Sequence, residues 1–150
     1  MGAATPFIVA GTSLIQAKNA TEIGKFNQKV FDRNAVVLEQ ESERIKQKTA
    51  YDIAQFDRKF ATLQSSVKTR ILKSGAELSG TGLKILRSNA EEAEIQRNVI
   101  NYNSKVEQSR KLEEAKFATI KGTMARSRSR MQALGYIASA GTSLLTNFGN

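Results

Sequence analysis

Only one proline, Pro6, occurs in 150 residues, and only one interior stretch punctuates the helical pattern. Proline is the strongest helix breaker, because it lacks an amide donor and clashes with the preceding turn. Residues 17–72 are rich in Glu, Lys, Gln, Arg and Ala, which are good helix formers. Apolar residues recur there at helical spacing: Ile23, Phe26, Val30, Val37, Leu38, Ile45, Ile53, Phe56, Phe60, Leu63, Val67 and Ile71. From Ile53 to Val67 the steps alternate between three and four, the spacing of a heptad seam. Ala35, Ser42 and Thr49 stand where large apolar residues would continue it, so the first helix is expected to meet more than one neighbour.

The break lies at residues 73–82, where Gly75, Gly80 and Gly82 stand among Ser74, Ser79 and Thr81. Gly75 suits a left-handed C-terminal cap, and Ser79 or Thr81 suits the start of a second helix. Over residues 83–146 the periodicity resumes through Ile85, Leu86, Ile95, Val99, Tyr102, Val106, Phe117, Ile120, Met124, Met131 and Leu134. The expected fold is all-α, a single domain formed by a long antiparallel helical hairpin. Each arm of about sixty residues would run roughly 90 Å. Phe56, Phe60, Leu63 and Val67 are expected to meet Val99, Tyr102 and Val106 along the hairpin seam. A thin hairpin buries little apolar surface per ordered residue, so oligomerisation into a ring or tube is expected.

Residues 1–16 form an apolar, small-residue segment without the positive leader and cleavage site of a secretory signal. It is also shorter than the ~20 residues a spanning helix needs. Its run Ala10-Gly11-Thr12-Ser13-Leu14-Ile15 is echoed by Ala140-Gly141-Thr142-Ser143-Leu144-Leu145. A hairpin would gather Phe7, Ile8, Val9, Leu14, Ile15, Ile137, Leu144 and Leu145 into an apolar tip. The tip would serve as an oligomer contact or meet a membrane.

Chemistry is sparse. The chain has neither cysteine nor histidine, which removes disulfides, thiolate nucleophiles, Ser-His-Asp triads and the usual zinc sites. Glu91, Glu92 and Glu94, and likewise Glu39, Glu41 and Glu43, sit at spacings of one and two that turn the carboxylates apart on a helix. The glycines lack the GxxxxGK[ST] order of a phosphate loop. No enzyme activity, cofactor or metal is expected.

Net charge is +9, which favours acidic partners. Lys116, Lys121, Arg126, Arg128 and Arg130 occur with no acidic residue from Ala115 to Asn150. Alternation in Arg126-Ser127-Arg128-Ser129-Arg130 spreads the guanidiniums around a helix at about 200° steps. Lys121, Arg126, Arg128 and Arg130 are therefore candidates to contact DNA or an acidic protein partner. A basic coiled-coil module binding nucleic acid or an anionic membrane is the alternative reading.

The segment Ser74-Gly75-Ala76-Glu77-Leu78-Ser79-Gly80-Thr81-Gly82-Leu83-Lys84-Ile85-Leu86 resembles the turn of the small internal virion proteins of short-tailed phages. Ala90, Glu94, Ile100-Asn101-Tyr102-Asn103 and the Ala/Glu/Gln-rich helix after them continue the likeness, as does the layout of small-residue ends around a long first helix. The resemblance implies a core, or ejection, protein packed inside the capsid near the portal. Its implied partners are copies of itself, the portal, other core proteins and packaged DNA. After ejection it would help form a conduit for the genome through the host envelope, with its tips at the host membrane.

Overall fold

The computed structural model describes the backbone of residues 5–75 and 80–148, and the side chains of residues 11–75 and 80–142. The fold is all-α. Helix α1 spans Thr5–Lys73 and helix α2 spans Thr81–Phe148. Helix α1 therefore starts at Thr5 rather than at residue 17, because nothing after Pro6 interrupts its hydrogen-bond ladder. The small-residue segment is the opening of α1 itself.

At the end of α1 the Ser74 amide donates to Arg70 O at 3.0 Å and the Gly75 amide to Leu72 O at 3.2 Å. Ser74 Oγ donates to Ile71 O at 2.7 Å. These bonds satisfy carbonyls that the ending helix leaves without partners. Gly75 follows with φ +74°, the left-handed conformation a C-terminal cap requires. The Gly80 carbonyl receives the first bond of α2, from Lys84 N at 3.2 Å, and Gly80 itself has φ +58°. Gly80 thus holds the place expected for Ser79 or Thr81. Thr81 is already the first helical residue, Gly82 lies inside the opening turn, and Ser79 lies outside the described residues.

The chain divides into two compact units, one of Met1–Leu38 with Glu113–Asn150, the other Glu39–Leu112. In the first unit, α1 and α2 segments pair antiparallel through very small residues. Ser13, Ala17, Ala35, Ala115, Ala118, Ser129, Ala133 and Ala140 are all buried. Ala35, Ala115 and Ala118 form a cluster against which Leu38 packs. Glycines bring the backbones closer still. A Cβ added at Gly122 would meet Phe31 Cβ at 3.0 Å and Gln28 O at 3.4 Å.

The second unit is a helical hairpin around the glycine turn, and its seam is partly polar. Thr49 Oγ1 lies 2.6 Å from Ser104 Oγ, which accepts from Gln108 Nε2 at 2.9 Å. Ser42 Oγ donates to Gln108 O at 3.3 Å. Lys111 Nζ pairs with Glu41 Oε2 at 2.9 Å, and Arg97 Nε donates to Asp57 Oδ1. Partners on α2 fall as those on α1 rise, which fixes the antiparallel direction. Sequence-distant polar pairs of this kind specify register more than they add stability.

Buried and half-buried positions carry this seam from Ser42 to Ile71 in eight steps on α1, and from Gly82 to Lys111 in eight steps on α2. Both runs average close to the 3.6 residues of an undistorted helical turn, rather than the 3.5 of a left-handed supercoil. The step after Phe60 is four residues where the heptad spacing has three. It turns Leu63 outward, 56% exposed, and brings Gln64 to the seam.

Candidate assembly surface

The apolar side chains are distributed against the usual order. Every buried hydrophobic residue among the described ones is an alanine, and no side chain has an accessibility under 2%. Alanine burial contributes far less than the ~1.5–3 kcal/mol of a buried Val, Leu or Phe. The large described hydrophobics are at most half-buried, and many are exposed.

The expected seam residues separate into two groups. Phe56, Phe60 and Val67 are half-buried at the α1–α2 contact of the second unit. The Phe56 and Phe60 rings stack along α1 with centroids 6.4 Å apart and planes 7° from parallel. With Lys59, Leu63, Asn89, Glu92, Ala93 and Gln96 they line an open groove of about 340 Å³. Val99, Tyr102 and Val106 are instead 52%, 68% and 52% exposed, a correction to the seam read from the sequence. Their seam places belong to Arg97, Ile100 and Ser104, flanked along α2 by Ala93 on one side and Gln108 on the other. Small side chains let two backbones approach closely, and the most buried α2 positions of this seam are the small Ala93 and Ser104.

Val99, Tyr102 and Val106, with Ile95 before them, follow steps of four, three and four on the face of α2 opposite Ala93 and Ser104. In the first unit, Phe117, Ile120, Met124, Met131 and Leu134 make a similar exposed row on α2, and Ile23, Phe26 and Val30 one on α1. Within each unit, described apolar residues at helical spacing therefore lie exposed. Exposed apolar rows of this kind mark association surfaces.

The basic candidates also separate. Lys121, Arg128 and Arg130 are exposed. Arg126 is half-buried against α1, where its Nη1 donates to Gln28 Oε1 at 2.9 Å and its Nε is enclosed without a hydrogen-bond partner. Arg126 therefore takes part in helix pairing within the first unit. Lys18, Lys25 and Lys29 on α1 in the same unit are exposed and lie at helical spacing along one flank. Glu22 lies among them in the chain, so their shared flank is not apparent as a charge run.

Of the apolar tip, Leu14, Ile15 and Ile137 are exposed by 55%, 63% and 48%. The side chains of Phe7, Ile8, Val9, Leu144 and Leu145 lie outside the described residues. Among the described residues no helix is long and apolar enough to cross a membrane. Nor do three or more Asp or Glu side chains converge among them as metal ligands would. Searches of protein-family models, curated proteins and solved structures find no match to the chain.

Proposed function

We propose that this is a structural protein that acts by assembling with copies of itself. One observation carries the reading: the only hydrophobic residues buried among the described ones are alanines, while Ile23, Phe26, Val99, Tyr102, Phe117, Ile120 and Met124 stand at the surface. A chain so arranged gains most of its hydrophobic stabilisation only when other helices cover it.

The finer reading is an internal core, or ejection, protein of a short-tailed phage. It rests on the resemblance of residues 74–86 and of the chain's layout. In this reading the helices line up as a ring or tube beside the portal and larger core proteins. Exposed Arg128 and Arg130 face packaged DNA, and the apolar ends meet the host envelope once the protein has left the capsid. Its work is mechanical: it supplies length, charge and assembly to a conduit for the genome.

Mass measurement of the purified protein, together with dye release from lipid vesicles, tests both levels. Oligomers that release dye support the conduit. Oligomers that leave vesicles intact keep the assembly reading and remove the envelope step. A monomer inert toward vesicles ends both.

The alternative, a basic binding module, is favoured by the exposed Lys121, Arg128 and Arg130. Salt-dependent DNA binding by a monomer is its signature.

A further inference from the structure

We infer that the outer face of α2 in the second unit is a self-association surface, and that two copies meet there antiparallel about a twofold axis between Val99 and Tyr102. This deepens the assembly reading and rests on it for the presence of a second copy, but not on what the assembly does.

Ile95, Val99, Tyr102 and Val106 are exposed by 56%, 52%, 68% and 52% and form one stripe facing away from α1. Their steps of four, three and four place them at alternating core positions of a helix–helix seam. Two arrangements bury all four on a second copy. An antiparallel pair sets Ile95 against Val106 and Val99 against Tyr102, each contact occurring twice by symmetry. A parallel, in-register pair sets each residue against its own copy.

Charge decides between them. In the parallel pair Lys105 falls beside Arg110 of the other copy, twice, and Glu92 meets Glu92 in the seam. Like charges held together across an interface are unfavourable. In the antiparallel pair, Glu92 instead lies on the same side and at the same level as Arg110 of the other copy, again twice. The antiparallel arrangement thus covers the apolar stripe and sets charges of opposite sign, rather than like sign, across the two copies.

The chain has no cysteine, so introduced thiols report contacts without background. Separate Ile95→Cys and Val106→Cys proteins are mixed, allowed to exchange and oxidised. Native mass spectrometry of the unmodified full chain runs alongside. Antiparallel pairing predicts disulfide-linked heterodimers from the mixture and almost none from either variant alone, since like positions then stand about 16 Å apart along the axis. Cross-linking of each variant to itself overturns the antiparallel arrangement. Oligomers in the mass spectrum without any cross-link overturn this surface while leaving the assembly reading intact. A monomer overturns both. A second readout avoids touching the apolar stripe: Glu92→Arg weakens the dimer by about tenfold, and adding Arg110→Glu restores it, with helicity unchanged by far-UV circular dichroism. Failure of the double variant to recover, in chains that remain helical, also counts against the surface.

Discussion

Ser129 stands directly against Gly24: a Cβ built on that glycine would come within 2.5 Å of the Ser129 hydroxyl. The contact shows what holds the first unit together. Two helix backbones approach until only hydrogen separates one of them from a side chain on the other. Gly24→Ala adds a methyl group where there is no room and forces the helices apart. The expected loss is about 1–3 kcal/mol from overpacking, less the ~1 kcal/mol that alanine gains over glycine in a helix. Urea unfolding measures it, and Ser129→Gly in the same chain should recover much of the loss. An equally unstable double variant would mean that the two residues do not share this contact.

The seam and the outer rows respond oppositely to side-chain size. Ala115 is 2% exposed, in contact with Ala35 and Ala118. Ala115→Leu should destabilise the fold by about 1–3 kcal/mol, because a packed seam resists added methylenes. Val99→Ala removes a larger side chain yet should shift unfolding of the dilute monomer by no more than about 0.5 kcal/mol beyond its propensity effect. At high protein concentration Val99→Ala should lower the unfolding midpoint relative to the unsubstituted chain, since stability gained by association depends on concentration. Thermal unfolding across a hundredfold concentration range separates the two behaviours.

These positions also show how far the sequence reads on its own. The two helices and the break between them follow from proline placement and from Gly75 and Gly80. The seam does not follow so directly. On α2, the row of Ala93, Ile100 and Ser104 and the row of Ile95, Val99, Tyr102 and Val106 share one period and differ only in phase. Periodicity states that a face exists, and hydrophobicity then favours the row with the larger residues. What selects the actual seam is close backbone approach, which favours small residues and becomes evident only when the second helix is in place. Arg126 misleads for a related reason. Its alternation with Arg128 and Arg130 is visible in the chain, but its reach toward Gln28 on α1 depends on pairing across almost the whole sequence.

The exposed arginines and the enclosed one should behave differently toward nucleic acid. If packaged DNA is a partner, Arg128→Gln with Arg130→Gln should weaken binding similarly for all sequences. The slope of log K against log salt should become shallower by about 1.8, two phosphate contacts at ~0.9 each. Arg126→Gln should leave that slope nearly unchanged and instead lower stability, because Arg126 joins α2 to Gln28. Fluorescence anisotropy with a labelled duplex at several salt concentrations tests the first outcome, and urea unfolding tests the second. An unchanged slope for the double variant would remove these arginines from any DNA-facing surface.

The backbone on either side of the turn asks for a residue without a Cβ at two places. Gly75 and Gly80 have φ of +74° and +58°, and an L-residue in the left-handed region costs roughly 1–2 kcal/mol. Neither glycine has an atom within 4 Å of an added Cβ, so the penalty is conformational rather than steric. Gly75→Ala and Gly80→Ala should each lower stability by about 1 kcal/mol. Gly75→Asn should lose less, because asparagine tolerates this conformation. Gly11, which lies within α1 with open space around it, is the control. Gly11→Ala should be neutral or stabilising by up to ~1 kcal/mol. Urea unfolding of the four variants compares them directly, and a Gly75→Ala variant as stable as Gly11→Ala would show that the chain does not turn through a left-handed residue at this point.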